Sequence, residues 1–151
     1  MEIKTRLLKP YTEEEKLNFI VEYNHKQGYE IKETKEALEA WGYTQEELDY
    51  KERERVAMLS LTRGDVFRGL LQAKQVTRAQ IRAMIENNET LTILQKEMAL
   101  IDFDEALNFY RGNDLINVLG NALGITSEQL DKFFETNDYK VLLPVDEIEV
   151  E

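Results

Sequence analysis

The side chains that most often perform catalysis or bind metals are scarce in this chain. It has one His and no Cys among 151 residues, which removes thiolate nucleophiles, disulfides and cysteine-ligated metals. His25 stands in a Tyr-Asn-His-Lys-Gln-Gly segment typical of a helix end, where an imidazolium stabilises the C-terminal dipole. We therefore predict no catalytic residue, no cofactor and no metal site, and a protein that is not an enzyme.

Acidic clusters give no reason to change this prediction. Asp102, Asp104 and Glu105 form one cluster, and residues 13–15 are three glutamates. Neither cluster follows the spacing of a calcium-binding loop, and acids are expected near helix starts because they stabilise the dipole there. The chain also has no glycine-rich phosphate loop and no Gly-x-Ser-x-Gly motif.

One segment has the spacing of a binding motif. From Leu71 to Met84, the apolar and capping residues follow the pattern with which a helix-turn-helix packs its second helix on its first. That second helix would present Arg78, Gln80 and Arg82 to a nucleic acid or an acidic partner. The match is partial, because Leu71 replaces a small residue and Gln75 replaces the usual Gly. A DNA-binding regulator is therefore an alternative function.

Charge is distributed unevenly. The net charge of −11 disfavours nucleic acid at long range, yet the middle of the chain is basic. Either this basic middle binds an acidic partner, or it pairs internally with the acidic ends. A second alternative function is an acidic inhibitor that mimics nucleic acid and occupies a host DNA-binding protein. The basic middle is residues 51–100, and its basic residues include Lys51, Arg53, Arg55, Arg63, Arg68, Lys74, Arg78 and Arg82.

Composition and capping motifs predict an all-α fold. Only 7 Gly and 2 Pro interrupt the chain, and Thr residues at 12, 44, 62, 77 and 126 each precede an acid or amide by three positions, as in a capping box. Apolar stripes, such as Phe67, Leu70 and Leu71, are assigned to the core. We expect seven or eight short helices joined by capped turns in one domain, 1–140, which could divide into 1–50 and 51–140. The helices are placed near 13–27, 33–41, 45–60, 63–74, 78–87, 90–111, 114–123 and 127–136.

The two ends have a different pattern. Ile3, Thr5 and Leu7 alternate with charged residues, and residues 141–151 form an extended acidic and apolar tail. The ends could pair as a short terminal β-ribbon. The apolar residues of the tail are candidates for contact with a partner protein or a second copy, while burial against their own domain is equally open. They are Val141, Leu142, Leu143, Val145, Ile148 and Val150.

Targeting signals are not evident in the sequence. No apolar run approaches the length of a membrane span, and the first residues lack the apolar stretch of a secretory signal. We therefore expect a cytoplasmic protein without membrane contact.

Three segments carry a resemblance to a known group of proteins. They are Lys9-Pro-Tyr-Thr12, Ala37-Leu-Glu-Ala-Trp-Gly-Tyr-Thr44 and Phe103-Asp-Glu-Ala-Leu-Asn-Phe-Tyr110. With them the chain resembles small prophage-encoded proteins of Gram-positive gut bacteria, whose genes often lie near tail or fibre genes. The resemblance implies a non-enzymatic accessory protein that acts by protein–protein interaction in tail or fibre assembly, in the host cytoplasm or on the virion.

Overall fold

A computed structural model describes residues 1–144. The chain divides into two compact units, Met1–Glu52 and Arg53–Glu151. Within the described residues there are seven α-helices and five strands, and the strands form two small antiparallel sheets. The prediction of an all-α fold is therefore wrong, since the fold is α+β with helix in excess.

The first unit is built on a three-stranded sheet in the order β1-β3-β2. Its strands are β1, Glu2–Leu8, β2, Glu30–Glu33, and β3, Ala37–Gly42. The alternation of Ile3, Thr5 and Leu7 correctly indicates a strand, because these side chains are half-buried while their neighbours are exposed. The strand pairs with β3, with Leu7 opposite Leu38. The ribbon predicted between β1 and the C-terminal tail falls largely on residues 145–151, which lie outside the described residues.

The helix predicted at 33–41 is wrong, because this segment contains the central strand β3. Ala, Leu and Glu are strong helix formers, but β3 pairs with a strand on each side and buries Leu38 and Ala40 on one small core with Phe19. Trp41 also lies in β3, and Lys32 Nζ lies 4.6 Å from the centre of its ring. Tertiary pairing here overrides local propensity.

Capped helices follow the strands. Helix α1, Glu13–Ile20, begins at a complete capping box formed by Thr12 and Glu15, and it continues as a π-helical turn, Val21–Lys26. Helix α2, Gln45–Ala57, begins where the Thr44 hydroxyl accepts the Glu47 amide at 3.1 Å. Both starts agree with the sequence prediction.

The second unit contains five helices and a short two-stranded ribbon. Strand β4, Ser60–Thr62, pairs with β5, Asn108–Tyr110, in positions where the sequence predicts helix ends. The helices are α3, Arg63–Lys74, α4, Arg78–Glu86, α5, Ile93–Glu105, α6, Asp114–Leu123, and α7, Ser127–Thr136.

Five phenylalanines lie among the mostly aliphatic residues in the core of this unit. The ring of Phe67 lies 5.2 Å from that of Phe103 and 5.8 Å from that of Phe109, both in tilted or edge arrangements that favour aromatic pairs. At Gly69 in α3, an added Cβ would lie 2.4 Å from the ring of Phe133 in α7. A residue without a side chain is therefore required where these two helices approach.

The capping box of α7 gives a direct test of how the helices begin. Thr126 Oγ1 accepts the Gln129 amide at 3.1 Å, and Gln129 Oε1 accepts the Thr126 amide at 2.9 Å. We expect Thr126→Ala to lower the free energy of unfolding by about 1 kcal/mol, measured by denaturant titration. Thr126→Ser keeps the hydroxyl and should remain close to the wild type; equal losses in the two variants would contradict the capping explanation.

The described part of the C-terminal tail packs against the second unit. A 3-10 helix, Tyr139–Leu142, follows α7; Leu142 is fully buried in the core, and Val141 packs at its edge. Leu143 is half-buried, and its carbonyl accepts Gln129 Nε2 at 3.0 Å. Val145, Ile148 and Val150 lie outside the described residues.

Candidate protein-binding groove

An open groove of about 400 Å³ lies on the second unit, between one face of α3 and the start of α4. Its residues on α3 are spaced three or four apart, so they share one side of the helix. Its described lining combines an apolar floor with arginines at the rim: Arg63, Gly64, Phe67, Arg68, Leu71, Val76, Thr77 and Arg78.

The floor is formed by three apolar side chains. Phe67 is almost completely buried, since it also belongs to the core, whereas Leu71 is 49% exposed. Val76 lies in the turn between the helices and packs against the edge of the core. The apolar spacing predicts Leu71 in the core, but in the structure it forms the exposed part of the floor.

The turn that connects α3 and α4 sets the shape of the groove. Gln75 ends α3 in a left-handed conformation, with φ 55° and ψ 36°, and its amide donates to the Leu71 carbonyl at 2.9 Å. A Gly is favoured in this conformation, and Gln75 adopts it here. Thr77 then caps α4 through a capping box with Gln80, which brings Val76 and Arg78 alongside α3.

Arg63 is held rigidly at one end of the groove. Its guanidinium lies 4.9 Å from the ring centre of Phe67 and 5.3 Å from that of Phe103, and it donates a hydrogen bond to the Phe103 carbonyl. These contacts compensate no negative charge, because a carbonyl oxygen and an aromatic face are neutral. The positive charge of Arg63 is therefore fixed beside the apolar floor.

The other two arginines are more accessible. Arg68 pairs with Asp65 at 2.7 Å, and this hydrogen bond lowers the pKa of the Asp65 carboxyl. Arg78 is exposed, and within residues 1–144 it has no ion-pair partner. One of the three rim charges is thus partly compensated, and Arg78 is available to a ligand.

The structure separates the three contact residues predicted from the helix-turn-helix pattern. Arg78 lines the groove, but Gln80 uses its side-chain oxygen to accept the Thr77 amide at 2.8 Å. Arg82 pairs with Asp104 at 2.5 Å and with Glu86 at 3.0 Å, and the contact with Asp104 raises its pKa. Of the three, Arg78 alone combines exposure with a position on the groove.

Other members of the basic middle also have partners. Lys51 Nζ lies 3.5 Å from the ring centre of Tyr43, and Arg55 contacts Glu135 at 3.1 Å. Together with the Arg82–Asp104 pair, the latter contact joins basic residues of the middle to acids of the last third. These ion pairs place basic side chains beside acids of the last third of the chain. A protein that mimics nucleic acid would instead need an unbroken acidic surface, so the pairs count against that alternative.

A second exposed apolar surface lies on the outer side of α5. Leu94, Met98 and Ile101 are 70%, 58% and 58% exposed and stand at helical spacing on one face. No arginine or lysine lies between them in the sequence except Lys96, which is on a different face. Met98 also lines an open cavity of about 550 Å³, whose described lining includes the acidic residues Asp102 and Asp114 and no arginine or lysine.

Residues 1–144 contain neither a cluster of metal ligands nor a helix that could span a membrane. Over residues 1–144, no group of three or more acidic, His or Cys side chains is placed to hold a metal ion. Within the same residues, none of the helices has the length and apolar character needed to cross a membrane.

Comparison of the chain with protein-family models, with curated proteins and with solved structures finds no match.

Proposed function

We propose that this is a non-enzymatic protein that binds another protein through the groove between α3 and α4. The observation that supports this most strongly is the floor of the groove, where Leu71 remains 49% exposed beside Phe67 and Val76. A volume of about 400 Å³ is within the usual range for binding pockets, about 300–1,000 Å³. When a partner covers exposed apolar side chains in a concave site, their burial lowers the free energy of the complex.

The biological setting of the proposal comes from the sequence resemblance. In a prophage, a small protein encoded near tail or fibre genes would bind a protein component during assembly. We propose that it acts as such an accessory protein in the host cytoplasm, with the virion as a second place where it could remain bound.

DNA binding is a second candidate, favoured by the three-residue turn between α3 and α4 and by the exposure of Arg78. Its weakness is electrostatic. Arg82, which a recognition helix would present to DNA, is paired with two acids, and the net charge is −11. Protein binding therefore has the stronger support.

Peptide display tests the proposed function. A random peptide library selected on the whole protein is expected to yield clones that lose about tenfold or more in affinity when Leu71→Glu places a charge on the apolar floor. Leu94→Glu makes the same change on α5 and should leave these clones bound. The proposal fails if the selected clones are insensitive to Leu71→Glu, or if they depend on Leu94 instead.

A further inference from the structure

We propose that the groove recognises a segment of a partner protein in which carboxylates accompany one or two apolar side chains. This inference rests on the proposed function and adds the chemistry of the partner. It is drawn from the charge of the rim together with the composition of the floor.

The charge of the groove is positive. Three arginines line the groove, and among its described lining residues none is acidic. This stands out in a chain with 30 acidic and 19 basic residues. A ligand with carboxylates would meet local cations here, although the protein as a whole is an anion.

The three arginines of the groove are available to an acidic ligand. Arg63 is fixed by an aromatic face and a carbonyl oxygen, so a partner would not have to immobilise it. Arg78 has no ion pair within the described chain, and Arg68 can exchange its surface pair with Asp65 at little cost. A guanidinium can form two parallel hydrogen bonds to one carboxylate.

The first turn of α4 lies at the groove. Thr77 and Arg78 begin this nine-residue helix and line the groove, and the positive end of a helix dipole stabilises a nearby anion. This contribution supplements the arginines. The helix dipole and the arginines both attract an anion, so both favour the binding of an acidic ligand.

The size of the groove also limits what it can bind. A groove of about 400 Å³ accepts one or two apolar side chains on Phe67, Leu71 and Val76, while flanking residues of the same segment reach the rim. A simple anion would leave the floor exposed, and a purely apolar peptide would leave the arginines without a partner. A peptide segment that combines both groups satisfies the whole surface.

Fluorescence anisotropy with two synthetic peptides tests this inference. The first intersperses leucine and glutamate with glutamine, and the second replaces every glutamate by lysine. We expect the glutamate peptide to bind the whole protein, to weaken with added salt, and to lose about fivefold to tenfold in affinity with Arg78→Glu. The lysine peptide should bind the wild type less tightly and should gain affinity for Arg78→Glu.

Matched variants separate a groove effect from an effect of net charge. Arg53→Glu makes the same charge change at an exposed residue outside the described lining of the groove, and it should reduce the affinity of the glutamate peptide much less than Arg78→Glu does. Leu71→Gln should also weaken binding, while Leu94→Gln should not. Equal effects of Arg78→Glu and Arg53→Glu would overturn the inference.

Three further outcomes would also overturn it. Display clones that require Leu71 but are indifferent to Arg78→Glu would leave the proposed function standing and refute its acidic partner. Duplex DNA that binds through Arg78 more tightly than the glutamate peptide would make the ligand a nucleic acid. A chain shortened to residue 144 that binds the glutamate peptide at least tenfold more tightly would identify the protein's own tail as the occupant in place of a partner.

Discussion

Replacing Leu142 by alanine is expected to lower the free energy of unfolding by about 3 kcal/mol, within the range for a large aliphatic side chain removed from a core. Leu142 has no exposed surface and lies in a 3-10 helix that packs against α3 and α7. The truncated side chain would leave a cavity that its helical neighbours can only partly close. Denaturant titration followed by far-UV circular dichroism measures the loss.

A matched substitution identifies the cause of that loss. Leu94→Ala removes the same atoms from a side chain that is 70% exposed on α5, and it should change the stability by less than about 0.5 kcal/mol. If Leu142→Ala were as mild as Leu94→Ala, the 3-10 helix would not be part of the core, and the tail from Val141 onward would be free for a partner.

Replacing Arg111 by methionine is expected to cost about 2 kcal/mol, because the hydrogen bonds of a buried guanidinium are lost while the partner carboxylate of Asp131, 41% exposed, regains water. The side chain of Arg111 is 8% exposed. Its guanidinium donates to Asp131 at 2.7 Å, to Asn117 at 2.8 Å and to the Ser127 hydroxyl at 2.8 Å. Arg111 directly follows β5, and these hydrogen bonds connect α6 to α7.

The comparison for this substitution is Arg53→Met, which removes an exposed arginine from the same unit and should be nearly neutral. Arg111→Lys should fall between the two, since an ammonium retains the charge but cannot reproduce the planar set of donors. The measurement is the denaturant concentration at the midpoint of unfolding. If this midpoint falls no further in Arg111→Met than in Arg53→Met, the hydrogen-bond network of Arg111 contributes little to stability.

The helical part of the fold could be predicted because its signals are local. Thr62, Thr77 and Thr126 each accept an amide three residues on, so a short sequence pattern contains the whole interaction. Gly124 ends α6 with φ 69°, as expected for a residue after a helix. Such contacts depend on neighbours in sequence, and they can be recognised without knowledge of the fold.

Apart from β1, whose alternation is visible in the sequence, the described strands could not be predicted because they depend on partners elsewhere in the chain. The segment with Leu38 and Ala40 has a helical composition, but it gains backbone hydrogen bonds from β1 and β2 on both sides. Likewise, Ser60–Thr62 pairs with Asn108–Tyr110 across the second unit, and each run of three residues is too short to show an alternation. Arg111 was not singled out either, since its partners lie elsewhere in the chain.

The sequence predicts the turn between the two helices beside the groove, but not the groove itself. The turn from α3 to α4 and the position of Arg78 follow from the spacing of Leu71, Val76 and Thr77. The sequence did not reveal that Leu71 would be exposed or that Arg63 would stack on Phe67. The large Leu71 at a position where a helix-turn-helix usually has a small residue was the available signal, since such a side chain does not fit between closely packed helices.

The central claim is that a partner segment occupies the groove between α3 and α4, and nuclear magnetic resonance of the whole protein tests it most directly. Titration of the ¹⁵N-labelled chain with the glutamate peptide is expected to shift the amide signals of Gly64, Leu71, Thr77 and Arg78, and to leave those of Leu94 and Ile101 on α5 unchanged. Saturable shifts confined to the outer face of α5, or no shifts in the groove at concentrations that saturate the anisotropy signal, would contradict the claim.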